Sequence, residues 1–175
     1  MRLRATPLDG AWMIELEPVE DERGHFARSF DAATFEQHGL DPRVAQCNVS
    51  HNALAGTLRG MHFQREPHGE AKLVRVVRGR LHDVLIDLRP NSPTYCEHFA
   101  VELTATVSLF APAGCAHGFQ TLEDDTVVHY QMSVPYRADA ASGVRWDDPL
   151  FAIDWPAASR RIISERDSAF PDFEP

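Results

Sequence analysis

The densest set of chemistry-bearing side chains lies between Gly56 and Lys72, in Gly-Thr-Leu-Arg-Gly-Met-His-Phe-Gln-Arg-Glu-Pro-His-Gly-Glu-Ala-Lys. Arg59, His62, Gln64 and Lys72 fall within it, and Gly56 and Gly60 flank the arginine. A guanidinium, an imidazole, an amide and an ammonium in one short segment suit an anionic ligand and a proton transfer. Extended residues two apart share a face, so a strand here would put His62 and Gln64 side by side. The alternative is a polar edge strand with solvated side chains, and a single short motif does not separate the two.

Composition narrows the field. A chain of 175 residues suffices for one domain with a real core. No run is long and apolar enough to span a bilayer, and the opening Met-Arg-Leu-Arg-Ala-Thr-Pro lacks the apolar core of a signal peptide. Cys47, Cys96 and Cys115 are odd in number and lack metal-ligand spacing, so they read as free thiols of a cytoplasmic, reducing environment. A net charge of -9 argues against nucleic acid as a partner. It also makes a local cluster of Arg and Lys more informative, because the background field repels anions.

The elements that must hold these residues follow from alternation and turn chemistry. Residues 12–18 predict a first strand, ended by Pro18 and the turn Asp21-Glu-Arg-Gly24. Residues 25–30 predict a second, with Phe26, Arg28 and Phe30 on one face. Asp31 suits the N-cap of a short helix over residues 32–38 that Gly39 ends. Residues 44–50 predict a third strand with Gln46, Asn48 and Ser50 on one face. Asn and Gln are poor strand formers, so that face is an exposed edge or the hydrogen-bonding wall of a pocket; we favour the wall. Residues 72–77 and 81–88 predict a hairpin around Arg78-Gly79-Arg80. Further strands are expected at 99–103, 108–111 and 126–133, with Pro112-Ala-Gly-Cys-Ala-His-Gly118 as a turn presenting His117. Residues 164–169 predict a helical turn. About eight short strands with closely spaced turns, and no linker or repeat, predict a single all-β domain over residues 1–175, most simply a jelly-roll sandwich with one or two short helices.

Many of these segments recur together, and in the same order, in one family. They are Asp21-Glu-Arg-Gly24 with Phe26, Gln46-Cys-Asn-Val-Ser50, Arg59-Gly-Met-His-Phe-Gln64, Lys72-Leu-Val, Asp83-Val-Leu-Ile-Asp-Leu-Arg89, Ser92-Pro-Thr94, Pro112-Ala-Gly-Cys-Ala-His-Gly-Phe119, Tyr130, Trp146-Asp-Asp-Pro149 and Ile163-Ser-Glu-Arg-Asp167. The chain resembles the dTDP-4-dehydrorhamnose 3,5-epimerases over nearly its whole length. The resemblance implies a cupin-type jelly roll, a homodimer whose N-terminal strands cross to the partner, and a nucleotide-diphosphate 4-keto-6-deoxy sugar as substrate. The implied reaction inverts C3 and C5, on either side of the ketone, with no metal or redox cofactor.

Roles follow by position. His62 would be the base, Asp167 the carboxylate that orients it, Lys72 the stabiliser of the enolate and Tyr130 the acid on the opposite face. Arg23, Arg59, His117 and Arg166 would contact the diphosphate or nucleotide, Phe26 and Tyr136 would stack on the base, and Gln46 and Asn48 would read its edges. Gln64 shares the His62 face, and Arg28 stands where many family members carry a Glu at the nucleotide end. That reversal, Gln131 in place of a common Lys, and a loop over residues 137–143 without Glu leave the nucleotide and sugar open, GDP and CDP sugars included. His25, His38, His51, His68, His82, His98 and His129 read as surface or edge residues. Asp83 and Asp87 read as structural, and Trp146 and Trp155 as packing. Three other readings remain: inversion at one carbon only, a metal-dependent cupin and a sugar-binding cupin. The metal reading lacks the expected histidine pair, since Met61-His62-Phe63-Gln64 carries one histidine and His68 is too distant.

Overall fold

Alternating apolar residues make strands that need cover on at least one face, and here three layers of apolar contact supply it. The computed structural model describes Met1–Pro175. Its strands, in chain order, are β1 (Arg2–Ala5), β2 (Trp12–Glu15), β3 (Val19–Asp21), β4 (Gly24–Phe26), β5 (Gln46–Asn52), β6 (Leu58–Gln64), β7 (Lys72–Arg78), β8 (Leu81–Asp87), β9 (His98–Leu103), β10 (Val107–Ala111), β11 (Cys115–Thr121), β12 (Thr126–Met132) and β13 (Ala141–Gly143). Two short helices, α1 (Ala32–Gln37) and α2 (Glu165–Ser168), complete it. Six strands form one sheet in the order β1-β2-β10-β7-β12-β5, and five form the other in the order β13-β6-β11-β8-β9. The fold is an all-β jelly-roll sandwich, as the periodicity and the resemblance led us to expect.

The central layer joins the two sheets. Val74, Val76, Leu109 and Val128 of the first pack against Leu81, Leu85, Leu103 and Phe119 of the second. Each such side chain, fully buried, contributes about 1.5–3 kcal/mol. Strand β8 is buried on both faces: Leu85 points into this layer, while Val84 and Ile86 meet Phe151 and Trp155 from the C-terminal loops. His82 on that outer face packs edge-on against Trp155, 5.8 Å between centroids. The indole of Trp155 donates to the Trp146 carbonyl at 2.7 Å, tying the two loop tryptophans together. Beyond the six-stranded sheet, Phe35 of α1 packs with Ile14, Leu73 and Phe110. Asp31 caps that helix, accepting from the Thr34 amide at 2.9 Å.

Two expectations are corrected. Strands β7 and β8 are not a hairpin: β7 pairs with β10 and β12, whereas β8 pairs with β9 and β11. The Arg78-Gly79-Arg80 corner, with Gly79 at φ 83°, carries the chain from one sheet to the other. Val76 and Leu81 therefore meet across the core instead of along a ladder. The turn before His117 is also shorter than expected. It closes with the Cys115 amide on the Pro112 carbonyl, and His117 lies within β11, whose seven residues are all buried. Gly118 is not a turn residue but a point of close approach to β6. Strands β1, β3 and β13 were not anticipated; each is three or four residues long, too short to show a period.

The contact between β6 and β11 sets the site. His117 lies opposite His62 and Phe119 opposite Arg59, so β6 carries one extra residue there. Such a bulge reverses the alternation, and it lets Arg59 and His62, three apart, line the same cavity. Gly60 in the bulge has φ 132°, and a Cβ on it would lie 2.4 Å from the Gly118 Cα. Gly39, by contrast, has φ 71° with open space around it. Gly60→Ala should therefore cost at least about 3 kcal/mol, strain and overpacking combined, and Gly39→Ala only about 1 kcal/mol. Urea unfolding of the two variants checks this; equal losses would mean that the close approach carries no weight.

Candidate active site

A cavity of 310 Å³ opens between the sheets. Strands β5, β7 and β12 supply one wall through Asn48, Ser50, Lys72 and Tyr130, and β6 and β11 supply the other through Arg59, His62, Gln64 and His117. Tyr136 and Arg166 complete the lining. The face of β5 read as either an edge or a wall is a wall at Asn48 and Ser50.

The His62 ring bonds through Nε2 to Asp167 Oδ1 at 2.8 Å. The other carboxylate oxygen accepts from the Gly60 amide at 3.1 Å, a donor that the bulge makes available. Asp167 sits in α2, whose N-cap Ser164 accepts from the Asp167 amide at 3.1 Å. Burial acts to raise the Asp167 carboxyl, but the hydrogen bond and charge of His62, with the Gly60 amide and Ser164 hydroxyl, outweigh it and hold the group below its ordinary value. An ionised carboxylate only accepts, so Nε2 carries a proton, and in the neutral ring Nδ1 is the nitrogen with the free lone pair.

Lys72 is almost fully buried, and so is the carboxylate beside it: Nζ lies 2.8 Å from Glu70 Oε1 and donates to the His62 carbonyl at 3.1 Å. On the same sheet, burial pushes the Tyr130 phenol well above the usual range, aided by the charge of Asp83 and only partly opposed by Arg59 and a hydrogen bond with Ser50. That phenol is therefore a neutral proton donor near pH 7. His117 Nε2 is 3.0 Å from both oxygens of the fully buried Asp83, and its ring meets Tyr130 edge-on with centroids 6.2 Å apart. Arg59 Nε donates to Asn52 Oδ1 at 2.8 Å, which fixes the guanidinium on the wall.

Asp83 is thus structural in the sense that it holds a cavity histidine. Asp87 is structural in another: Arg89, Ser92 and Thr94 bond to it and fix the loop after β8. Burial acts to raise its pKa, and those three partners outweigh burial to bring it down to about 2.

Five of the expected residues lie off this cavity wall: Asp167, behind His62, and four others. Gln46 accepts from the Tyr136 amide and donates to Asn48 Oδ1, both at 3.0 Å, and so braces two residues that do line it. Arg23 pairs with Asp21 at the tip of the β3–β4 hairpin, and Phe26, 79% exposed, extends from the same hairpin. Arg28 bonds to Asp31 Oδ2 at 2.9 Å. Sequence reasoning missed Glu70, Asn52 and Phe170, whose ring meets His62 edge-on at 6.1 Å. Glu70 could have been found, since it stands two residues before Lys72 in the opening motif. No group of three or more His, Cys, Asp or Glu side chains is placed to share a metal ion.

A carboxyl held low in the folded state adds stability above its unfolded value near 3.8, and that stability is lost as pH falls through the folded value. The stability gap between the native protein and Asp167→Asn should thus be widest above about pH 4 and close below it. Urea unfolding across pH 2–7 measures the gap; a constant gap would mean that Asp167 is not held ionised by His62.

Comparison with known proteins agrees with this geometry. Residues 5–175 match the model of the family described as dTDP-4-dehydrorhamnose 3,5-epimerase. A protein of that name from Methanothermobacter thermautotrophicus is 47% identical over 171 residues, covering 95% of this chain and 91% of its own. The crystal structure of a dTDP-4-dehydrorhamnose 3,5-epimerase from Bacillus anthracis, with TDP and PPi bound, superposes with a TM-score of 0.94 at 38% identity over 98% of this chain and 99% of that one. ChmJ, a 3'-monoepimerase from Streptomyces bikiniensis in complex with dTDP-quinovose, superposes at 0.89 with 32% identity over 95% of this chain and 85% of that one. With both its length and its architecture matched, this chain belongs to the dTDP-4-dehydrorhamnose 3,5-epimerase family.

Proposed function

We propose that the protein is an isomerase that inverts C3 and C5 of a dTDP-linked 4-keto-6-deoxy sugar by removing and returning protons through an enolate, without metal or redox cofactor. The observation that carries this reading is the pairing of opposite walls: an oriented imidazole on one sheet and a neutral, buried phenol on the other. A proton next to a ketone is removable only if the charge that develops on the ketone oxygen is stabilised. His62 takes the proton through Nδ1, and Asp167 stabilises the imidazolium that forms. Lys72 holds the enolate oxygen with its ammonium, the charge a metal would otherwise supply. Tyr130 then donates its proton to the opposite face of the carbon, which inverts the centre. His117 and Arg59, fixed by Asp83 and Asn52, bind the anionic diphosphate with Arg166.

His62→Asn should stop both solvent exchange and inversion. Lys72→Met should slow both by about 10²–10³, the usual cost of one preorganised oxyanion donor. Tyr130→Phe should separate them: the proton still leaves, and His62 returns a deuteron to the same face. NMR of sugar recovered from deuterated water reads label and stereochemistry together. Inversion at the normal rate in Tyr130→Phe would remove Tyr130 as the acid. The same experiment on the native protein decides a second reading, inversion at one carbon, with which the similarity to ChmJ is consistent. One deuteron per product in place of two would establish it.

The protein works in the cytoplasm as a homodimer, in this reading, with the β3–β4 hairpin reaching into the partner's cavity. Every residue of that hairpin is exposed, Val19 at 72% and Phe26 at 79%, though both are large and apolar. Arg23 and Phe26 would then contact the nucleotide in the neighbouring site, where Arg28 also bears on the choice of base. The arrangement predicts complementation. Protomers with His62→Asn keep a good hairpin, and protomers with Arg23→Ala and Phe26→Ala keep a good cavity. Each alone should be nearly inactive, and mixing them should restore up to one working site per mixed dimer. No gain on mixing, after subunit exchange is shown by mass spectrometry, would place the hairpin outside the site.

A further inference from the structure

We propose that Glu70 is a positioning residue for this reaction, keeping Lys72 charged and aimed at the ketone oxygen; this rests on the reading of Lys72 as the enolate stabiliser.

The two side chains form a buried ion pair. Glu70 and Lys72 are 7% and 6% exposed, and Oε1 lies 2.8 Å from Nζ. Glu70 lies in the loop before β7, two residues from Lys72, and both side chains line the cavity. The second oxygen, Oε2, is buried with no hydrogen-bond partner. A buried carboxylate oxygen without a partner destabilises the fold, and an apolar residue at position 70 would avoid that cost. The carboxylate is accounted for by its neighbour. An ammonium on a residue 6% exposed, which stands opposite Met132 in the sheet, has lost most of its water, and desolvation favours the uncharged amine. A neutral amine stabilises no enolate. A counter-charge at 2.8 Å keeps the proton on, and with the His62 carbonyl it fixes Nζ from two sides.

The other titratable groups around the Lys72 head are His62 from β6, His117 from β11 and Tyr130 from β12, with Cys115 at the start of β11. Arg59 and Arg166 bring the remaining positive charge. Only Glu70 among the cavity-lining residues is a carboxylate. Removing its charge leaves Lys72 with the His62 carbonyl as its bonded partner, while the Asp167 and Asp83 carboxylates are engaged by His62 and His117.

The test is the pH dependence of kcat/KM for the dTDP-linked 4-keto-6-deoxy sugar. In Glu70→Gln, which keeps the shape, the alkaline limb should move toward neutral pH by about one unit or more. Glu70→Asp, which keeps the charge, should restore most of the native profile. The limb's position does not depend on how much protein is folded, so a merely structural role would lower the whole profile without moving it. Tyr130 also titrates above neutrality, and Lys72→Met separates the two. In that background Glu70→Gln should no longer move the limb. An unmoved limb in Glu70→Gln overturns the proposal, as does an equal shift in the Lys72→Met background. Native turnover by Lys72→Met would instead overturn the parent reading, and the role of Glu70 with it.

Discussion

A polar side chain between two sheets must find its partner inside the protein, because water is no longer there to serve. Four polar side chains of the cavity obey that constraint. His62 has Asp167, His117 has Asp83, Lys72 has Glu70, and Arg59 has Asn52. Groups of this kind would be costly to bury alone. Paired, they form a polar wedge at one end of a sandwich otherwise filled by Leu, Val and Phe. The pairing also fixes chemistry: a carboxylate on Nε2 settles which nitrogen of the neutral imidazole is free.

The carboxylates that hold the two histidines come from distant parts of the chain, 105 positions away for His62 and 34 for His117. Alternation gives β6 a face that looks into the cavity, and the extra residue at Gly60 adds Arg59 to that face. The same bulge turns the Gly60 amide toward Asp167. One local irregularity thus serves to present a cation and to anchor the orienting carboxylate. Gly118, directly opposite, lacks a Cβ because β6 leaves no room for one.

The fold class was legible in the sequence because alternation and turn residues are local signals. The strand partners were not. Residues 72–77 and 81–88 flank a turn and look like a hairpin, yet they lie in different sheets, since both are apolar enough to face the core from either side. Gly118 looked like part of a turn because a glycine demanded by packing is spelled the same as one demanded by φ. Lys72, His62, Tyr130 and Arg59 were recognised from a collinear set of motifs, and the cavity gathers all four. Glu70 escaped notice because burial, not residue type, distinguishes it from a solvated surface carboxylate.

The cavity depends on contacts between residues far apart along the chain. Asp167 is 105 positions from His62, and β5 closes on β12, where Val128 stands opposite Ser50. Loops of that length close slowly, so a topology of this kind folds slowly for its size. No early intermediate built from neighbouring strands would contain a working fragment of the site. Enzymatic activity is therefore a reporter of complete folding in this protein: its recovery after dilution from denaturant should follow the last structural phase, not the first appearance of β-structure.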